Sequence, residues 1–272
     1  MVGRGYAAEV TFPTHPGLRC DLAGPVLTVT LCNPTQLNAQ TPSLWAALAA
    51  TARAVTDDVR VVVLRAEGRA FSAGLNRALL MPGGMPGEPD MIAAAATSAE
   101  AMTEMIGPFQ EGFSLWRQIR PVVVAAVQGH AIGAGFQLAL AADVRVVADD
   151  VQFAMKEIAL GLIPDLGGTS TLVQAVGYGR ALEICATGRA IGASEAVALG
   201  LASLSVPRTD LEAATDDFVA ALLAAPKPAL GALKPLMRAA LTSTPDEQLV
   251  HERTAQGLLL HAMAAGGTAR RP

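Results

Sequence analysis

The sequence predicts an α/β fold, and three observations carry that reading. Valine-rich runs at 59–66 (VRVVVLRA) and 122–127 (VVVAAV) are bounded by turn residues, as suits strands covered on both faces. Helical stretches separate the runs, so successive strands need crossover connections. Residues 121–143 (PVVVAAVQGHAIGAGFQLALAAD) pass from strand, through a glycine turn at 129–135, into an apolar helix. The rest of the chain is organised around that stretch.

In order, residues 25–31 (PVLTVTL) read as a strand closed by a turn at Asn33-Pro34. Thr41 as N-cap and Pro42 at the first helical position open a helix to about Val55. The strand at 59–66 leads into the loop 67–76 (EGRAFSAGLN), and the Pro/Gly-rich segment 81–90 (MPGGMPGEPD) reads as a mobile loop that orders on binding. One long helix is expected over roughly 91–118. After the central stretch, strands are expected at 144–148 and 151–154. Residues 155–177 then read as a helical turn, a Pro/Gly loop and a helix capped near Gly168-Thr169. Helices at about 178–187 and 193–199 precede a last strand at 201–206. Three strandless helical segments follow, at about 209–225, 229–242 and 245–262. The expected organisation is thus a core at 1–206, a helical region at 207–262 suited to packing on another subunit, and a disordered tail at 263–272. No short fixed repeat is visible, although ββα units recur irregularly.

At 272 residues the chain suits one globular domain, with or without a small appendage. The apolar fraction is 51%, much of it Ala, yet no run approaches a membrane span. The N-terminal MVGRGYAAEVTF lacks the continuous apolar stretch of a signal peptide. Cys20, Cys32 and Cys185 are far apart and without ligand spacing, so they read as thiols of a reducing, cytoplasmic protein. A net charge of −4 with no basic stripe argues against a nucleic-acid partner. An anionic small molecule is still allowed. With three Lys against seventeen Arg, its contacts would come from Arg or backbone N–H groups.

The turn at Gly133-Ala134-Gly135 starts a helix whose unpaired N–H groups suit an oxygen carrying or developing negative charge. It is not a dinucleotide fingerprint, because position 138 is Leu, and no Gly-Lys-Ser/Thr of a Walker loop occurs. A turn that merely lets helix and strand pack is the plainer reading. A second turn of the same kind, 71–75 (FSAGL), follows the strand at 59–66. Two such turns can aim two N–H groups at one thioester carbonyl oxygen, provided that they meet in space.

Asn33-Pro34 with Leu37-Asn38-Ala39, Phe71-Ser72-Ala73-Gly74, the stretch 121–143, the segment 157–169, and Thr187-Gly188 with Ala193, Glu195, Ala196, Gly200 and Leu201 together resemble the crotonase (enoyl-CoA hydratase/isomerase) superfamily over about residues 20–262. The resemblance implies a spiral of ββα units with a C-terminal helical region, assembling as a homotrimer or dimer of trimers. It implies an acyl-CoA substrate, with no metal or redox cofactor, since the CoA thioester is itself the substrate. Carried over by motif, the oxyanion donors are the backbone N–H groups of Leu75 and Ala134, with Ala73, Gly74 and Gly133 around them.

Hydratases of the family use two glutamates. Here Glu157 stands at the second of those positions and Gln137 at the first. An amide can orient water or a carbonyl but cannot give and recover a proton near neutral pH. Asp165 lies eight residues after Glu157, as in the family's dienoyl-CoA isomerases, so isomerisation is expected ahead of hydration. A protein that binds acyl-CoA without turning it over is the rival from another class. Ala134 replaces the Gly of hydratases, which a backbone donor tolerates if φ is negative there. Plainer roles stand beside the sharp ones. Asp165 can shape a turn or cap the next helix, and Gln137 can bond only backbone. Arg77 can reach CoA phosphates or sit solvated, and His130 has no acidic or Cys partner in sequence and reads as structural. Met81, Met85, Met91, Met102 and Met105 can form a soft acyl pocket or ordinary core.

Overall fold

In the computed structural model, which describes residues 11–266, β1 (Leu18–Ala23) and β2 (Val26–Leu31) form an antiparallel hairpin. α1 (Pro42–Ala54) starts as its sequence dictates: Thr41 Oγ1 accepts the N–H of Leu44 at 3.3 Å, and Pro42 occupies the first turn. β3 (Val61–Ala66) then pairs parallel with β2. The single helix expected over 91–118 is two, α2 (Met91–Thr97) and α3 (Ala99–Gln118). Ser98 breaks it. Its backbone is extended (φ −169°, ψ 164°), and its hydroxyl caps the Ala101 N–H at 3.1 Å.

β4 (Val122–Val127), β5 (His130–Ile132) and α4 (Ala134–Ala141) form the central unit. β6 (Val144–Ala148), β7 (Gln152–Ala154), α5 (Gly168–Val176) and α6 (Tyr178–Thr187) follow, with a 3₁₀ turn at Glu157–Leu160 between β7 and α5. The chain then runs through β8 (Ile191–Gly192), α7 (Ala193–Ala198), β9 (Leu204–Val206), α8 (Leu211–Ala224), α9 (Lys227–Ala239) and α10 (Pro245–Gly266). Residues 263–266, expected to begin a disordered tail, are helical, the helix formers Met263, Ala264 and Ala265 carrying α10 on to Gly266. The rest of that tail lies outside the described residues.

The main sheet has the order β1-β2-β3-β4-β6-β9 and is parallel except for its first hairpin, while β5, β7 and β8 form a second, three-stranded sheet. Alternate residues of the central strands serve two cores. Val62, Leu64, Val123, Ala125 and Val127 join the main core with Leu48, Phe113 and Trp116. Val61, Val63, Val124, Ala126 and Val146 face Leu211 and Val219 of α8. Coverage on both faces is why these strands read as unbroken valine runs. α9 is fastened by the buried Lys234, whose Nζ lies 2.7 Å from Asp143 Oδ2 and donates to the carbonyls of Trp116 and Pro121 at 2.9 Å each.

Candidate active site

The turn after β3 is shaped by buried polar side chains. Asn38 donates to the carbonyls of Glu67 and Ala70 and accepts the N–H of Asn33, all at 2.9 Å. Ser72 Oγ donates to the Asn38 carbonyl at 2.7 Å and accepts from the Gly74 N–H and from Gln40 Nε2 at 3.1 Å each. The backbone N–H of Gln40 donates to the Gly74 carbonyl at 2.8 Å, and Asn76 N–H donates to the Gln40 carbonyl at 2.9 Å. Gly74 sits at φ 84°, a conformation that turns the following peptide, so the Leu75 N–H falls between these bonds.

The second turn is shaped by backbone pairing instead. Ser72 N–H donates to the His130 carbonyl at 2.9 Å and Ile132 N–H to the Ser72 carbonyl at 3.0 Å, stitching β5 to the first turn. Gly133 N–H donates to the Ala154 carbonyl of β7 at 2.8 Å, and Gly133 itself, at φ 53° and ψ −120°, swings the chain into α4. The two turns therefore meet. A methyl group on Gly74 would collide with the Ile132 carbonyl oxygen and lie 3.4 Å from the Ala134 nitrogen. The N–H groups of Leu75 and Ala134 donate to no acceptor among the described residues. Each follows a positive-φ glycine, and one opens a helix, an arrangement able to donate to one oxygen that carries or develops negative charge.

Glu157 closes the site from the side. A Cβ on Gly133 would stand 3.3 Å from Glu157 Oε1, and Gln137, one turn into α4, donates Nε2 to that same oxygen at 2.8 Å. Glu157 Oε2 is buried with no hydrogen-bond partner. Burial pushes the Glu157 carboxyl above the usual carboxylate range; hydrogen bonds from its own backbone and from Gln137 oppose that rise, and the charge of Asp165 adds to it. Asp165 is likewise pushed up by burial, against a hydrogen bond from its own backbone. Asp165 does not cap α5, whose N-cap is Gly167 without a side-chain bond. A carboxyl with a raised pKa and a free buried oxygen, beside two unpaired N–H donors, can move a proton next to a carbonyl while its negative charge is held.

Residues 22–265 match the family model for Enoyl-CoA hydratase/isomerase. The chain belongs to the enoyl-CoA hydratase/isomerase family. It is 31% identical over 242 residues to the "Probable enoyl-CoA hydratase" of Rhodobacter capsulatus, covering 89% of each chain. It is also 31% identical over 188 residues to the "Probable enoyl-CoA hydratase echA8" of Mycobacterium tuberculosis, spanning 67% of this chain and 66% of that one. Among solved structures it resembles the "putative enoyl-CoA hydratase" of Thermobifida fusca YX. In the complex with acetoacetyl-CoA that protein is 43% identical at a TM-score of 0.85, over 90% of this chain and 95% of that one. In the complex with CoA the values are 42% and 0.87, over 94% and 100%. The crotonase-type fold expected from the motifs is the fold observed.

The other candidates lie as follows. Ala73 is exposed beside Gly74, and Arg77 is exposed at the start of a 3₁₀ turn (Arg77–Leu80), with no ion-pair partner among the described residues. Asn76 shapes the turn after Leu75, its Oδ1 accepting the Ala78 N–H at 3.1 Å. His130 stands exposed on β5. Met91 and Met105 pack against the main core, while Met81 is 60% exposed, so the methionines do not form one lining. The Pro/Gly-rich segment is tied down by Glu88, which accepts the Ser43 N–H at the start of α1 at 2.9 Å. Gln40, Ser72 and Gln110, whose Nε2 donates to the Asp165 carbonyl at 2.7 Å, carry roles that the sequence reading did not assign. A cavity of about 770 Å³ on the α8 side of the main sheet does not compete as a site. Its arginines, Arg19, Arg65 and Arg208, are each paired with a carboxylate. Among the described residues there is no cluster able to hold a metal ion and no helix long and apolar enough to cross a membrane.

Proposed function

We propose that the protein binds an acyl-CoA thioester and moves a carbon–carbon double bond along its acyl chain. The observation that carries this reading is Gln137, an amide where a hydratase of the family has a second carboxylate, turned so that it donates to Glu157 and leaves Oε2 free. For a 3-enoyl thioester, Glu157 takes a proton from C2, and the electron pair passes to the carbonyl oxygen as a dienolate. The N–H groups of Leu75 and Ala134 hold that charge. The proton then returns at C4, the carbonyl reforms, and the double bond lies between C2 and C3. Asp165 supplies a second carboxyl for a longer dienoyl system. Nothing in this sequence calls for a metal or redox group. Hydration is the second reading, favoured by the hydratase names of the relatives. The solved complexes with acetoacetyl-CoA and CoA support a thioester ligand.

Incubation with 2-enoyl-, 3-enoyl- and dienoyl-CoA esters, followed by mass spectrometry and NMR, tests the proposal. An isobaric product with a shifted double bond is expected. A hydrated product without any shift would establish the second reading, and binding without product would make the protein an acyl-CoA carrier. The chain is further proposed to assemble as a homotrimer or dimer of trimers through α9 and α10, whose Leu233, Met237, Leu249 and Leu258 are each more than half exposed. A monomer that persists on concentration in sedimentation would count against that assembly.

A further inference from the structure

Gln137 does more than omit a carboxylate. It is 1% exposed, and its Oε1 accepts two backbone N–H groups of the loop before α5, from Leu166 at 2.9 Å and Gly168 at 3.2 Å. Turning the amide over would set its NH₂ against both donors and its oxygen against a carboxylate, losing three hydrogen bonds at once. A Cβ on Gly168 would lie 2.6 Å from Gln137 Cγ, so it is the glycine that lets the loop come this close to the amide. The NH₂ is thus aimed at Glu157 Oε1 by the loop itself. The same loop carries Asp165, and Gln110 pins it independently from α3.

We infer that Gln137 is a positioning residue: through the Leu166 and Gly168 N–H groups it holds Glu157 by Oε1, leaves Oε2 as the oxygen that carries the proton, and keeps Glu157 in register with Asp165. The inference deepens the isomerase reading and rests on Glu157 as its base. The titratable groups facing Glu157 are Asp165 on the loop and Cys185 on α6, so the amide of Gln137 is the neighbour whose replacement changes its surroundings most simply.

Two substitutions separate the halves of the strut. Gln137→Glu keeps an acceptor for the loop but puts a carboxyl oxygen against Glu157, so the two acids share a proton and titrate as a pair. The acidic limb of kcat/KM on 3-hexenoyl-CoA, along which Glu157 loses its proton and becomes the base, should then move up by about one pH unit. The Leu166 and Gly168 amides should stay protected from hydrogen exchange. Gln137→Met keeps the bulk but loses acceptor and donor together. Both amides should exchange about tenfold faster, and kcat should fall while KM holds. Should wild-type protein shift no double bond, the isomerase reading fails alone. The strut is then judged by amide exchange and by the ¹³C carboxyl titration of Glu157, assigned with Glu157→Gln. Unchanged exchange in Gln137→Met, or an unmoved Glu157 titration in Gln137→Glu, would overturn the inference.

Discussion

The two halves of the site are built from different materials. The proposed oxyanion seat consists of backbone, two N–H groups set by positive-φ glycines and locked between β5, β7 and the turn after β3. Nothing in it titrates. The proposed acid–base half consists of side chains, Glu157 on a 3₁₀ turn and Asp165 on a loop, both pushed above the usual carboxylate range by burial. The difference follows from the tasks. Holding a charge that appears only during reaction favours dipoles that need no reorganisation. Moving a proton requires a group whose charge can change near the working pH, and burial supplies that.

The comparison is broken most severely from the acid–base side. Glu157→Gln keeps the shape but cannot carry the proton, so kcat for double-bond movement should fall by about 10²–10⁴, the range typical of a lost general base. Thioester binding, followed by calorimetry, should persist because the backbone donors are untouched. Retention of isomerisation in this variant would remove Glu157 from the mechanism.

From the other side, Gly74→Ala attacks a donor with no side chain of its own. The added methyl meets the Ile132 carbonyl oxygen at a φ of 84°, so the two turns must part. A loss of about 10²–10³ in kcat is expected, as for removal of one oxyanion donor. Gly24→Ala is the control: its φ of 56° is also left-handed, but nothing lies within 4 Å, so it should strain the hairpin and spare turnover. Equal losses in both variants would mean that global stability, not the seat, governs activity.

These halves were not equally legible in the sequence. β4 and β6 announced their bounds because buried parallel strands are continuous apolar runs, and Thr41-Pro42 spelled out the start of α1. β1 did not, although Leu18, Cys20 and Leu22 alternate with Arg19 and Asp21: at this edge only Leu18 is buried, so the alternation is short and weakly apolar. β5 is three residues hidden inside a glycine turn. Ser98 went unread as a break, although Glu100 in the first turn of α3 was a signal for it. The motifs pointed to Leu75, Ala134 and Glu157 as candidates. Their meeting was not legible, since it depends on bonds such as Gln137 to Glu157, 20 residues apart, that no local pattern encodes.

The support of the first turn offers a subtler break. Asn38 is 2% exposed, sits at φ 52° beside Leu37 at φ 51°, and satisfies three backbone groups, one buried and two half-buried. Asn38→Ala should cost about 2–4 kcal/mol in denaturant unfolding, the scale of leaving such groups unpaired. Asn38→Gly loses the same bonds but relieves the left-handed strain, so it should be the milder of the two. The reverse order would mean that the chain entropy added by glycine outweighs the strain.

The smallest effect sharpens the contrast through pH. A carboxyl whose pKa is higher folded than unfolded binds more protons in the folded state between those two values. Its contribution is therefore most favourable in acid and declines as the pH rises through the raised pKa. Glu157 and Asp165 are both of this kind, so near neutral pH the folded protein bears the cost of burying their charges. Glu157→Gln and Asp165→Asn remove that cost, and each should melt a few degrees above wild type near neutrality. The advantage should shrink as the pH falls into the ordinary carboxylate range, where the wild-type groups become neutral too. No such pH-dependent gain is expected from any change in the backbone seat. If Glu157→Gln melts lower than wild type near neutrality, the charge-assisted bond from Gln137 outweighs the burial. The acid–base half would then be held by attraction as firmly as the seat is held by its glycines.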